Sequence, residues 1–355
     1  MNRKPYLDIL RILALFLVVF NHTALFSPGE IGPAEPVYWV ILLADECCKL
    51  AVPVFFMVSG ALLLHKDEPT AALLRKRVLR FVLLILLFVG GQLLFASLVS
   101  GMGWSWKRYI ASCLTGAIYS HITAAYAVWF LYAYLGMLVL LPLLRRLAQG
   151  MANSHFLLLM GLQVACLVVF PAVSCAFTGK PAFFLNRFLP FADGVYPPFC
   201  WTHCIFYAFL GYFLEHRMTA RPGAGQLAAW GISAGLLLLA GCAAVHATMG
   251  TNIDYNPFLK SFLMVPCCYI FLAAKWNRGL AAMPPAAQGL LTWLAGGVFA
   301  GIMLENILRH FMLPHVFALL GQGFAAHCAA VAAVSVVALA CGSVLKSVPL
   351  LRKVL

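Results

Sequence analysis

The chain reads as a succession of long apolar runs separated by short polar breaks. Ten runs stand out, near residues 7–26, 37–64, 79–100, 126–144, 155–176, 196–214, 227–249, 259–274, 289–311 and 323–345. Within them apolar residues are continuous rather than alternating, which argues against barrel strands and predicts helices. At 1.5 Å of rise per residue, about 20 residues cross roughly 30 Å of hydrocarbon, so nearly every run is long enough to span a bilayer. The run 259–274 is short, and 289–311 is interrupted by Glu305 and Arg309. The first run is too long for the core of a signal peptide and lacks a small-residue cleavage pattern after it, so it is read as a retained first span. The breaks leave no room for a separate soluble domain. The expected fold is all-α: a polytopic integral membrane protein of about ten transmembrane helices, residues 1–355 forming one transmembrane domain.

Composition supports this reading. Of 355 residues, 24 are Lys or Arg and 11 are Asp or Glu, 10% in all, against roughly 25% charged residues in soluble domains. The hydrophobic fraction is 63% and the mean hydropathy +0.94. A soluble fold has too little polar surface to cover so much apolar side chain. That excludes a soluble enzyme, a disordered chain and a secreted disulfide scaffold. The 12 cysteines include no Cys-x-x-Cys pair and mostly lie in apolar runs, where a thiol behaves as a small apolar group.

A net charge of +13 would suggest nucleic acid in a soluble protein. Here the basic residues are better read as topology determinants, and no nucleic-acid partner is expected. With the N-terminus in the cytoplasm, most Lys and Arg fall on the inner side. Lys49, Lys107, Arg108, Lys180, Arg187, Lys260 and Arg309 remain outside. This bias places both termini in the cytoplasm. Trp104, Trp106, Tyr109 and Tyr119 in the segment 101–125 fit an interfacial aromatic belt, with a sugar-stacking rim as the alternative.

Charged groups inside spans are costly and point to function or pairing. Arg11 and His22 are 11 residues apart in the first span, 20° past three full helical turns. They therefore share a face, about 16 Å apart along the axis. An acyl-coenzyme A fits that spacing, with its phosphates on Arg11 and its thioester near His22, a neutral-pH base. The plain alternative is that Arg11 snorkels to the cytoplasmic edge and His22 faces headgroups. In the second span, Asp45 and Lys49 are spaced for an i,i+4 ion pair. Pro53 should kink or break the helix, and Ser59-Gly60 permits close helix approach. Arg77 and Arg80, i,i+3 at the start of the third span, suit a phosphate clamp, a contact with anionic lipid or the positive-inside bias. Glu305 stands four residues before Arg309, so it is either an ion-pair partner or a carboxylate that orients a histidine. His203, His246, His310 and His327 show no metal-ligand spacing, and no metal is expected.

Several stretches together resemble the membrane acyltransferase-3 family, bacterial integral-membrane O-acyltransferases of surface glycans. They are Tyr6-x-Asp8-x-x-Arg11 with Asn21-His22, then Val52 to Gly60, then Arg77-x-x-Arg80. Trp129-Phe130-Leu131-Tyr132 through Leu141-Pro142-Leu143 and Gly301 to Asn306 complete the series. In layout the chain is closest to the stand-alone type acting on enterobacterial common antigen. The resemblance implies location in the bacterial inner membrane and transfer of an acyl group, usually acetyl, from acyl-coenzyme A to a hydroxyl of a glycan or lipid-linked sugar. It implies Arg11, Arg77 and Arg80 as ligands of the coenzyme A phosphates, with His22 as general base and Glu305 as a catalytic carboxylate. Asp45, Ser59 and Trp129 become candidates for contact with the substrate. No serine or cysteine nucleophile is evident, which favours direct displacement over an acyl-enzyme. The rival expectation is a transporter or flippase of a lipid-linked saccharide, although no internal repeat supports it.

Overall fold

The computed structural model describes residues 4–23, 34–101, 103–115, 128–181, 204–248, 261–321 and 323–349. Among these residues the regular structure is helical, with no strand. The helices are α1 (Pro5–Thr23), α2 (Tyr38–Cys48), α3 (Ala51–Leu63), α4 (Thr70–Ser100), α5 (Trp106–Thr115), α6 (Val128–Gly150) and α7 (Asn153–Thr178). They continue with α8 (Phe206–His216), α9 (Ala224–Thr248), α10 (Met264–Lys275), α11 (Arg278–Ala281), α12 (Pro285–Leu320) and α13 (Phe324–Ser347).

Among the described residues, seven helices are long and apolar enough to cross a membrane: α1, α4, α6 (from Trp129), α7, α9, α12 and α13. Three of the ten expected runs are not represented by a spanning helix among the described residues. The run 37–64 is divided at Lys49 and Leu50 into α2 and α3, each too short to span alone. Pro53 accounts for the division, because it has no N–H to give the Lys49 carbonyl, and it sits in the first turn of α3, where none is required. Val54 resumes the ladder with a bond to the Leu50 carbonyl at 3.0 Å. The run 259–274 yields only the 12-residue α10. The run 196–214 is represented by α8, and residues 196–203, with His203, lie outside the described residues.

The chain divides into two compact units. The first comprises Met1–Lys66, Leu144–Gly194 and Cys200–Pro284; the second comprises Asp67–Leu143, Val195–Phe199 and Pro285–Leu355.

In the first unit α3 is buried nearly all round, and so is α8. Two glycines set their separation. A methyl group on Gly60 would overlap the Ala208 backbone, and one on Gly211 would overlap the Met57 backbone. Small residues at membrane helix contacts allow this approach, as expected for Ser59-Gly60.

The ends of these helices are sealed by polar groups. Lys275 donates to the carbonyls of Leu214, Glu215 and Met218 at 2.7, 3.0 and 2.9 Å, satisfying groups that a helix C-terminus leaves open. Lys4 and Tyr6 both bind the Glu215 carboxylate, which is buried. Arg145 Nε donates to the Leu63 carbonyl and Gln149 Nε2 to that of Leu64, each at 2.9 Å.

His65, just beyond α3, stacks on His216 with ring centroids 4.7 Å apart, and both rings bond the Ala61 carbonyl. Burial, followed by the neighbouring His216, holds the His65 imidazole below its ordinary value of 6.5; Lys66 and Lys4 act in the same direction. A base with a lowered folded pKa binds fewer protons in the folded state than in the unfolded state. Its stabilising contribution is therefore full above pH 6.5 and falls as pH drops toward the folded value. The melting temperature should fall between pH 7.5 and 5.5, and His65→Gln should reduce that fall, as measured by thermal unfolding in detergent at the two pH values.

In the second unit α12 and α13 touch through backbone. A methyl group on Gly342 would meet the Gly297 carbonyl and lie 2.6 Å from the Gly301 nitrogen. Phe81 of α4 packs on Tyr134 of α6 and Phe299 of α12, with centroids 5.0 and 5.3 Å away. Trp104, Trp106 and Tyr109 form their own cluster, with centroids 5.4 to 5.9 Å apart. Tyr119 lies outside the described residues.

Candidate active site

α1 runs without interruption from Pro5 to Thr23. Arg11 and His22 are therefore on one helix, three turns and about 16 Å apart, and both are partly exposed. Asp8 of the preceding turn is buried and lies 3.8 Å from the Arg11 guanidinium.

Asp45 and Lys49 form the i,i+4 pair that their spacing suggests, at 3.0 Å. Lys49 also donates to Asn21 Oδ1 at 2.7 Å. One ammonium thus ties the last turn of α1, where His22 sits, to α2. This link fixes the residue beside the proposed base, and neither Asn21 nor Lys49 would be chosen from the sequence for that task.

Ser59 is buried and gives its hydroxyl proton to the Phe55 carbonyl at 2.9 Å. Such bonding back to residue i−4 is the usual fate of a hydroxyl inside a helix.

Glu46 stands out beside these groups. It is 0% exposed, and neither carboxylate oxygen has a hydrogen-bond partner among the described residues. Its side chain occupies space left by Gly241 of α9, where a methyl group would lie 2.8 Å from Oε1. A buried polar group without a partner costs on the order of 1–3 kcal/mol. Glu46→Met, of similar volume, should therefore raise the melting temperature in detergent.

In the second unit the basic segment around Arg77 and Arg80 is placed differently from expectation. The helix begins at Thr70 rather than near residue 79, and residues Leu74–Val78 are wound as a π-helix. Arg77 lies within this turn and Arg80 two residues past its end. Such turns are frequent at functional sites. Arg77 Nε meets Glu68 Oε2 at 3.1 Å, and both side chains remain partly exposed.

Trp129 stands in the first turn of α6 and packs on Phe130, with centroids 6.3 Å apart. Glu305 is buried in α12 and takes a hydrogen bond from Arg309 Nε at 2.8 Å, the pairing their i,i+4 spacing allows. His246 Nδ1 and the Tyr38 hydroxyl are hydrogen-bonded at 2.8 Å. The His310 ring contacts Phe95, with centroids 5.4 Å apart.

A helical chain with several membrane-length segments, intramembrane charges and partly exposed arginines near helix starts defines a multi-pass membrane protein. The acyltransferase-3 family model, described as an acyltransferase domain, matches residues 4–344. The match runs through both units, and the chain belongs to this family; it is a membrane acyltransferase. No curated protein matches the chain, and no solved structure does.

Proposed function

We propose that this acyltransferase moves an acyl group, acetyl in the first instance, from cytoplasmic acyl-coenzyme A to a hydroxyl of a glycan or lipid-linked sugar. The observation that carries the reading is the acyltransferase match over residues 4–344. In this reading the donor's phosphates bind Arg11, Arg77 and Arg80, whose guanidinium groups suit phosphate recognition. His22 removes the proton from the acceptor hydroxyl. The oxygen attacks the thioester carbonyl, the carbon–oxygen bond forms, the carbon–sulfur bond breaks, and the proton passes from His22 to the departing thiolate. Glu305 serves as the catalytic carboxylate, while Asp45, Ser59 and Trp129 contact the substrate. The setting is the bacterial cytoplasmic membrane, both termini inside, and the acceptor is of the enterobacterial common antigen type.

The test uses membranes containing the full chain and acetyl-coenzyme A labelled in the acetyl group. Label should enter glycan or lipid-linked material and be released by mild base, as an ester is. Saccharide movement without thioester cleavage would overturn the reading in favour of transport.

A further inference from the structure

A continuous hydrogen-bonded chain runs through the second unit behind Glu305. Arg309 donates from Nε to Glu305 Oε2 at 2.8 Å and from Nη2 to Asn306 Oδ1 at 2.9 Å. Asn306 Nδ2 donates to Gln92 Oε1 at 3.0 Å. Gln92 Nε2 donates to the Met303 backbone carbonyl at 3.2 Å. Gln92 comes from α4 and the rest from α12. Glu305, Asn306 and Gln92 are buried.

The direction of this chain is determined by its chemistry. A guanidinium only donates, so Asn306 must turn its oxygen toward Arg309 and its amide hydrogens toward Gln92. Gln92 must then present oxygen to Asn306 and hydrogen to the Met303 carbonyl. The orientation of each amide follows from Arg309, and every link is made inside an apolar bundle, where an unmade one is costly. An i,i+4 ion pair needs neither Asn306 nor Gln92. Their participation connects Arg309, and through it Glu305, to a second helix.

We propose that Gln92, Asn306 and Arg309 are positioning residues that hold the Glu305 carboxylate in one setting by tying α12 to α4. This rests on the proposed catalytic role of Glu305. The experiment is the labelled acetyl-coenzyme A assay on membranes containing the full chain, with rate and KM for the donor measured separately. Glu305→Gln comes first, and full activity in it would overturn both the catalytic role and this proposal. With Glu305→Gln inactive, Gln92→Leu should lower kcat roughly tenfold or more, the scale of a small misplacement of a reacting group, and leave KM for acetyl-coenzyme A unchanged. Wild-type kcat in Gln92→Leu would overturn the positioning role and leave the Glu305 assignment standing. Should Gln92→Leu fail to fold, amide swaps decide. Gln92→Asn and Asn306→Gln should each lose activity, and the double variant, which restores one long and one short amide, should recover it. A double variant no better than the singles would overturn the proposal.

Discussion

His22→Ala is expected to reduce acyl transfer by at least about 100-fold, the lower end of what a general base contributes, without changing the melting temperature. The residue lies in the last turn of α1 and is partly exposed, so truncation opens no large cavity. Its neighbour Asn21 keeps the bond from Lys49, so the end of α1 should stay in place. The measurement is label transfer from acetyl-coenzyme A at saturating donor, alongside thermal unfolding of the same preparation. Persistence of near wild-type transfer in a folded His22→Ala protein would remove His22 from the mechanism. Loss of transfer together with loss of folding would assign it a structural role.

The largest stability effect is expected at the crossing of α3 and α8. Gly60→Ala puts a methyl group into the Ala208 backbone, which cannot rotate away as a side chain can. Overpacking of this kind costs typically 1–3 kcal/mol and sometimes more. Because Gly211 meets Met57 in the same way, separating the helices at one point loosens the other. Thermal unfolding in detergent should show a marked drop for Gly60→Ala. Gly161→Ala in α7, where a methyl group meets nothing within 4 Å, should move the other way, since alanine favours the helix by roughly 0.5–1 kcal/mol. Equal melting temperatures for the two variants would show that the α3–α8 separation is not set by these glycines.

Much of this is legible in the sequence. The scarcity of charge and the continuous apolar runs are enough for an all-helical membrane protein, since side-chain chemistry alone decides solvent. Pro53 announces the division between α2 and α3 because its missing N–H is a local property. The Asp45–Lys49 and Glu305–Arg309 pairs follow from i,i+4 spacing. Gln92 could not be found in this way. It is uncharged, it sits in an apolar run, and its partner Asn306 is 214 residues away. Glu215 falls just past the end of its apolar run, yet it is buried and receives bonds from Lys4 and Tyr6. Groups whose partners are distant in sequence leave no periodic trace.

The π-helical turn at Leu74–Val78 has a consequence for the whole of α4. A helix that accommodates one residue beyond regular winding behaves as two rods joined out of phase. Arg77 within the turn and the later Gln92 are consequently clocked independently. Removing a single residue from the turn would rotate Arg77 by about 100° about the axis relative to Gln92 without altering either side chain. The angular setting between the basic end and the buried amide is therefore held in chain length, as a phase, rather than in the identity of any one residue.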